Sequence, residues 1–82
     1  ALARRAAADP ADLGAQIAWG RALVAAGKHE EGLEVLFQAA QRDVHHDADA
    51  PRKALVEAFG VIGWSNPLVR EYQRRLSLIL AS

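Results

Sequence analysis

Two histidines and three aspartates crowd into residues 43–49: Asp43, His45, His46, Asp47 and Asp49. Imidazole and carboxylate groups are ligands for zinc and nickel, and a histidine beside a carboxylate can also do general acid–base work. Spacing decides how such groups can be used. Two ligands on one helix face need a separation of three or four, and His45 and His46 are adjacent. They could ligate together only from a loop, with Asp47 or Asp49, and His29, completing the set. The other reading is a solvated connector in which Asp47 or Asp49 helps cap the next helix, and adjacency favours it. Nucleophilic catalysis has even less to work with. The serines are Ser65, Ser77 and Ser82; none has a histidine near it in sequence, and no glycine-rich phosphate loop occurs. The expectation is no catalytic residue, no cofactor and no metal, with His45 and His46 as the remaining metal candidates.

The elements that must carry these groups are helices. The chain has 82 residues, 51% hydrophobic and 24% charged, with ten basic and ten acidic side chains and no cysteine or methionine. That is one small globular domain, expected to bury only about 60–65% of its unfolded surface. Zero net charge argues against nucleic acid as a partner. No apolar run approaches the ~18 residues of a membrane span, and no signal-peptide pattern opens the sequence, so a soluble chain is expected. The lack of methionine and the start at Ala1 read as a fragment of a longer protein. Without cysteine, disulfides and thiol chemistry are excluded within it.

In "ADPAD", Asp9 reads as an N-cap, Pro10 as the first helical residue, and Asp12 as an acid at the positive end of the helix dipole. The helix runs to Gly27, a natural C′ residue. It carries two apolar stripes, Leu13, Ile17, Gly20, Val24 and Trp19, Ala22, Leu23, Ala26, which predict packing on both sides, with Trp19 in the core. Leu33, Leu36, Phe37, Ala40 and Val44 define a one-sided helix over about 30–43. Pro51 opens a third helix whose stripe is Leu55, Phe59 and Ile62, with Val56 beside it, ending at Gly63. Asn66 and Pro67 then cap and open a fourth, with Leu68, Val69, Tyr72, Leu76, Ile79 and Leu80 inward and Arg70, Glu71, Gln73, Arg74 and Arg75 outward. Trp64 either closes the core or stands exposed as a contact anchor. Period-two alternation is absent, so no strand is expected. "ALARRAAA" reads as the end of a preceding helix or a linker, residues 10–44 as one helix pair and 50–81 as a second.

The two pairs repeat. Trp19, Leu23 and Gly27 recur as Leu55, Phe59 and Gly63 after 36 residues, and Leu33, Leu36 and Ala40 map onto Val69, Tyr72 and Leu76. Each pair can bury only one face alone, so the pairs must stack: an all-α fold of two antiparallel helix hairpins with an N-terminal stub. "WGRALVAAGKHEEGLEVLFQAA" resembles a tetratricopeptide repeat (TPR), through Trp19–Gly20, Leu23, Gly27, Gly32, Leu36 and Ala39. His29, Gly32 and Val44 depart from it, standing where an aromatic residue, Ala and Pro are usual. Two repeats are fewer than an independent stack needs, so support from self-association, the stub or another domain is expected.

Most of the chain also resembles the C-terminal region of thioredoxin-fold co-chaperones, the chaperedoxins. The resemblance rests on Arg52, Lys53, Ala54, Leu55, Phe59, Gly63, Pro67, Leu68, Val69, Tyr72, Arg74, Arg75 and Leu76. It implies a non-catalytic, TPR-like domain of a bacterial cytoplasmic protein. Such a domain binds unfolded clients and chaperonin or other chaperones, and accompanies an N-terminal thioredoxin-like domain. Two other readings stand beside it: a self-association module, and a metal-binding domain through His45 and His46.

In a TPR-like stack the first helix of each pair lines the concave face. That register places Ile17, Ala18, Arg21 and Val24 there from one unit, and Lys53, Ala54, Glu57 and Val61 from the other. Ala18 and Ala54 stand where a carboxylate-gripping Asn would be expected, so a mixed apolar groove with Ile17, Arg21, Val24, Lys53, Glu57 and Val61 is the expected protein-binding site. Arg70, Arg74 and Arg75 form a basic edge that would suit an acidic partner.

Overall fold

The computed structural model describes residues 12–81. Four helices follow one another: α1 (Leu13–Ala25), α2 (His29–Asp43), α3 (His46–Ile62) and α4 (Pro67–Ala81). No strand occurs among the described residues. The helix starts and stops are set by local chemistry. Asp12 is the N-cap of α1: its Oδ1 accepts from the Ala15 amide at 3.0 Å. The assignment of the cap to Asp9, with Asp12 inside the helix, is thereby corrected. Asp12 has non-helical dihedrals and is itself placed to satisfy an orphan amide of the first turn. Asp9, Pro10 and the "ALARRAAA" stub lie outside the described residues.

α1 ends in a Schellman motif. Gly27, at φ +86°, donates to Val24 O, and Lys28 donates to Leu23 O. A side chain at Gly27 would have to adopt the left-handed region, which only glycine enters freely. Gly63 closes α3 differently: it is the C-cap itself, at φ +118°, and donates to Phe59 O. Asn66 Oδ1 then accepts from the Leu68 amide at 2.9 Å and Pro67 opens α4, as its spacing predicts.

α2 is the centre of the stack. It packs most closely on α1, then on α3 and α4, while α3 and α4 touch each other least. Its Leu33, Leu36, Ala39 and Ala40 are fully buried with Ala54, Leu55, Phe59 and Val69 from the later helices. The α1–α2 crossing is tight because two glycines meet there. A Cβ on Gly32 would lie 2.5 Å from Val24 Cγ2 and 2.9 Å from Gly20 O; one on Gly20 would lie 2.6 Å from Leu36 Cγ. Glycine in place of the usual alanine at residue 32 thus has a steric reason. Gln16, buried in the same seam, donates from Nε2 to Val35 O at 3.1 Å and ties α1 to α2.

Three burial expectations are corrected. Only the first stripe of α1 is buried: Leu13, Ile17, Gly20 and Val24 are inside, Ala22 and Ala26 are exposed, and Trp19 and Leu23 are half-buried. Trp19 is therefore not a core residue. The reason is position in the stack. The repeat-equivalent pair Leu55 and Phe59 is covered because α3 has α2 before it. Among the described residues α1 has no earlier helix. Leu80 is exposed rather than inward, at 45%. Arg75, expected to face water, lies over the rings of Tyr72 and Phe37, its guanidinium 4.9 and 5.9 Å from their centroids.

Candidate functional site: a groove between α1 and α3

Val24 on α1 and Ala54, Ala58 and Val61 on α3 form the apolar lining of a groove of about 200 Å³. Arg21 and Glu57 stand at its mouth. α1 and α3 are the first helices of the two pairs, and the 36-residue period gives their facing positions a common register. Of the six residues expected there, the structure brings together Arg21, Val24, Glu57 and Val61. Ile17 does not line the groove: it is 7% exposed and packs in the core, which corrects its expected place. Lys53 is exposed but does not line the groove.

Arg21 and Glu57 are not independent charges. Arg21 Nη2 lies 3.3 Å from Glu57 Oε2, with both side chains at least half exposed. A pair this wet stabilises the fold by only about 0–1 kcal/mol. It can therefore open to offer a cation and a carboxylate to a guest at little cost. Val61 beside it is 70% exposed. The arrangement suits an extended or helical segment with an apolar side chain flanked by polar groups; it holds no nucleophile and no paired acid and base.

The basic edge is largely neutralised. Arg74 bonds Glu71 at 2.6 Å, and Arg75 bonds Glu71 at 3.2 Å and approaches Glu34 at 3.9 Å. The Arg74 hydrogen bond, followed by that of Arg75, holds the Glu71 carboxyl below its usual range. Arg70 is exposed and makes no ion pair with a described residue. Trp64 is both closing and exposed: its ring meets Phe59 edge-on at 5.9 Å, yet it remains 52% exposed.

The histidine–aspartate connector does not assemble a metal cage. No group of three or more potential ligands comes together among the described residues. His29 opens α2 and His45 lies beyond its other end at Asp43, a helical rise of about 21 Å at 1.5 Å per residue. The Asp49 carboxylate accepts from His45 and pairs with Arg52 at 3.6 Å. The hydrogen bond from His45 is the chief reason its pKa is lowered. Asp49 thus anchors side chains, with no backbone amide capped by it, which corrects its expected role. Asp47, Ala48 and Asp49 have positive φ, so right-handed helix resumes only near Pro51.

Sequence reasoning missed a second, larger concavity of about 570 Å³, lined by Trp19, Leu23, Val35, Tyr72 and three glutamates, Glu30, Glu31 and Glu34. Its signal is a tryptophan on the second α1 stripe and acids at the start of α2, but nothing in the sequence joins them. The Tyr72 hydroxyl donates to Glu34 Oε2. Burial, then that hydrogen bond and the Glu34 charge, push the Tyr72 phenol up to about 12.

The stacked hairpins, the Gly20–Gly32 crossing and the positive-φ Gly27 define a helical-repeat fold. The family model for the tetratricopeptide repeat matches residues 1–80, and the chain belongs to that family. No curated protein and no solved structure matches it. Tetratricopeptide repeats generally mediate protein–protein interaction and are typically non-catalytic. No described helix is long and apolar enough to cross a membrane.

Proposed function

We propose that this domain is the client-binding part of a thioredoxin-fold co-chaperone of the bacterial cytoplasm, and that the α1–α3 groove takes segments of unfolded proteins or of a chaperone partner. The observation that carries the reading is the groove itself: an apolar floor of Val24, Ala54 and Ala58 beside an openable Arg21–Glu57 pair. A thioredoxin-like partner domain is supported by the likeness of "RKAL…F…G…PLV…Y…RRL", carried by Arg52, Lys53, Phe59, Pro67 and Tyr72 among others. The test is a pull-down of a denatured client and of chaperonin by the wild-type chain, Arg21→Glu and Lys53→Glu. Lys53 lies outside the lining, so the groove reading expects Arg21→Glu to lose capture at unchanged helicity and Lys53→Glu to retain most of it. Full capture by Arg21→Glu would sink the assignment. A second reading, self-association, is favoured by the exposed Leu78 and Leu80 on α4, at 61% and 45%. Light scattering on Leu78→Glu separates it: a wild-type dimer turned monomer supports this reading, and a monomeric wild type rejects it.

A further inference from the structure

The larger concavity lies away from the α1–α3 groove and rests on different residues. Its floor is Trp19, Leu23 and Val35; its acidic wall is Glu30 and Glu31. We propose that it is a docking site for a helical segment of a partner protein that carries arginine or lysine beside a stripe of small or aliphatic residues.

Three observations lead there. The first is the repeat itself. Trp19 and Leu23 are the equivalents of Leu55 and Phe59, which are 0% and 1% exposed. The α3 pair is covered by packing against a helix, α2. The corresponding α1 face is half-buried, so the stack offers a helix-shaped seat at that position. The second is size: about 570 Å³ is enough to take several side chains from one face of a helix. The third is charge. Among the described residues, every ionisable side chain lining it is a carboxylate or the Tyr72 phenol. Glu34 is engaged by Tyr72 and Arg75. Glu30 and Glu31 make no ion pair with a described residue, and both are exposed. The first turn of α2 stabilises these two acids through the helix dipole, but leaves their outward faces for a cation. Trp19 adds a ring face that favours a guanidinium. An acidic helix would be repelled; a basic one is attracted at long range and seated by the indole.

The probe is a short, C-terminally amidated peptide with leucine and alanine on one helical face and arginine on the flanks, beside a twin with glutamate for arginine. Titration into the full 82-residue chain carrying Trp64→Phe leaves Trp19 as the only indole reporter. The expected result is a saturable blue shift with the basic peptide and none with its twin. Replacing Glu30→Gln and Glu31→Gln together should weaken binding by roughly tenfold. Arg21→Glu should leave this titration unchanged, which keeps its failure distinct from failure of the α1–α3 groove. No shift, or equal affinity in the glutamine variant, would overturn the proposal. So would a shift that appears on raising chain concentration without peptide, which assigns the seat to a second copy. Binding only after Arg4→Gln and Arg5→Gln would assign it to the chain's own N-terminal residues, and overturn it too. Calorimetry on the unsubstituted chain distinguishes the same outcomes if Trp64→Phe does not fold.

Discussion

Replacing Gly32 by alanine should destabilise the domain, although alanine is the better helix former and the usual residue at that repeat position. In an exposed helix interior the exchange gains about 0.8–1 kcal/mol. At Gly32 the new Cβ would meet Val24 Cγ2 at 2.5 Å and two backbone atoms, Gly20 O and Val24 N, at 2.9 Å each. A side-chain tip can rotate away, but backbone cannot, so α1 and α2 must separate. Overpacking of this kind costs about 1–3 kcal/mol, and the crossing also carries the Gln16–Val35 bond. The net expectation is a loss of up to about 2 kcal/mol. Gly60 is the internal control: it lies on the exposed side of α3, and the nearest atom to its Cβ would be Trp64 Nε1 at 3.9 Å. Gly60→Ala should therefore stabilise by up to about 1 kcal/mol. For a chain of this size 1 kcal/mol moves the melting temperature by roughly 4–8 °C. The two variants should melt up to roughly 12–24 °C apart, read by circular dichroism in the far ultraviolet. Gly32→Ala melting at or above the wild type would refute the account of the crossing.

Asp12→Ala should cost about 1 kcal/mol by removing the α1 cap, measurable as a lowered urea midpoint at unchanged slope. The Tyr72 phenol, raised in the folded state from 10.0 to about 12, contributes stability that is full below pH 10 and is lost as pH rises towards 12. The wild-type chain should thus lose more stability across that window than Tyr72→Phe, and its ultraviolet phenolate signal should appear only above the ordinary tyrosine range. Zinc titration by calorimetry should give no stoichiometric heat at micromolar protein; a saturable one-to-one isotherm abolished by His45→Ala would show that the connector rearranges to ligate.

How much of the molecule is legible in the sequence follows from the range of the forces involved. Gly27, Gly63 and the Asn66–Pro67 pair mark helix ends correctly because capping and Schellman bonds join residues at most five apart. The 36-residue period makes the stacking of like hairpins readable, and with it the meeting of Arg21, Val24, Glu57 and Val61 across α1 and α3. The cap at Asp12 escapes that reading because two aspartates three residues apart both fit the pattern, and only the backbone dihedrals of Asp12 show that it stands just outside the helix.

Other features wait on the neighbours in space. Arg75 reads as solvated on its helix, yet Phe37 of α2 and its own Tyr72 form an aromatic seat for it. Arg21 and Glu57 are separate charges in the sequence until the crossing of α1 and α3 puts them 3.3 Å apart. Trp19 and Leu55 are equivalent in the repeat and differ in how far the described helices cover them. Sequence periodicity determines which face of each helix is apolar, since that depends on 3.6 residues per turn and nothing else. Whether an apolar face is covered, and so whether it stabilises or binds, is decided by the helix packed against it, which only the tertiary structure supplies.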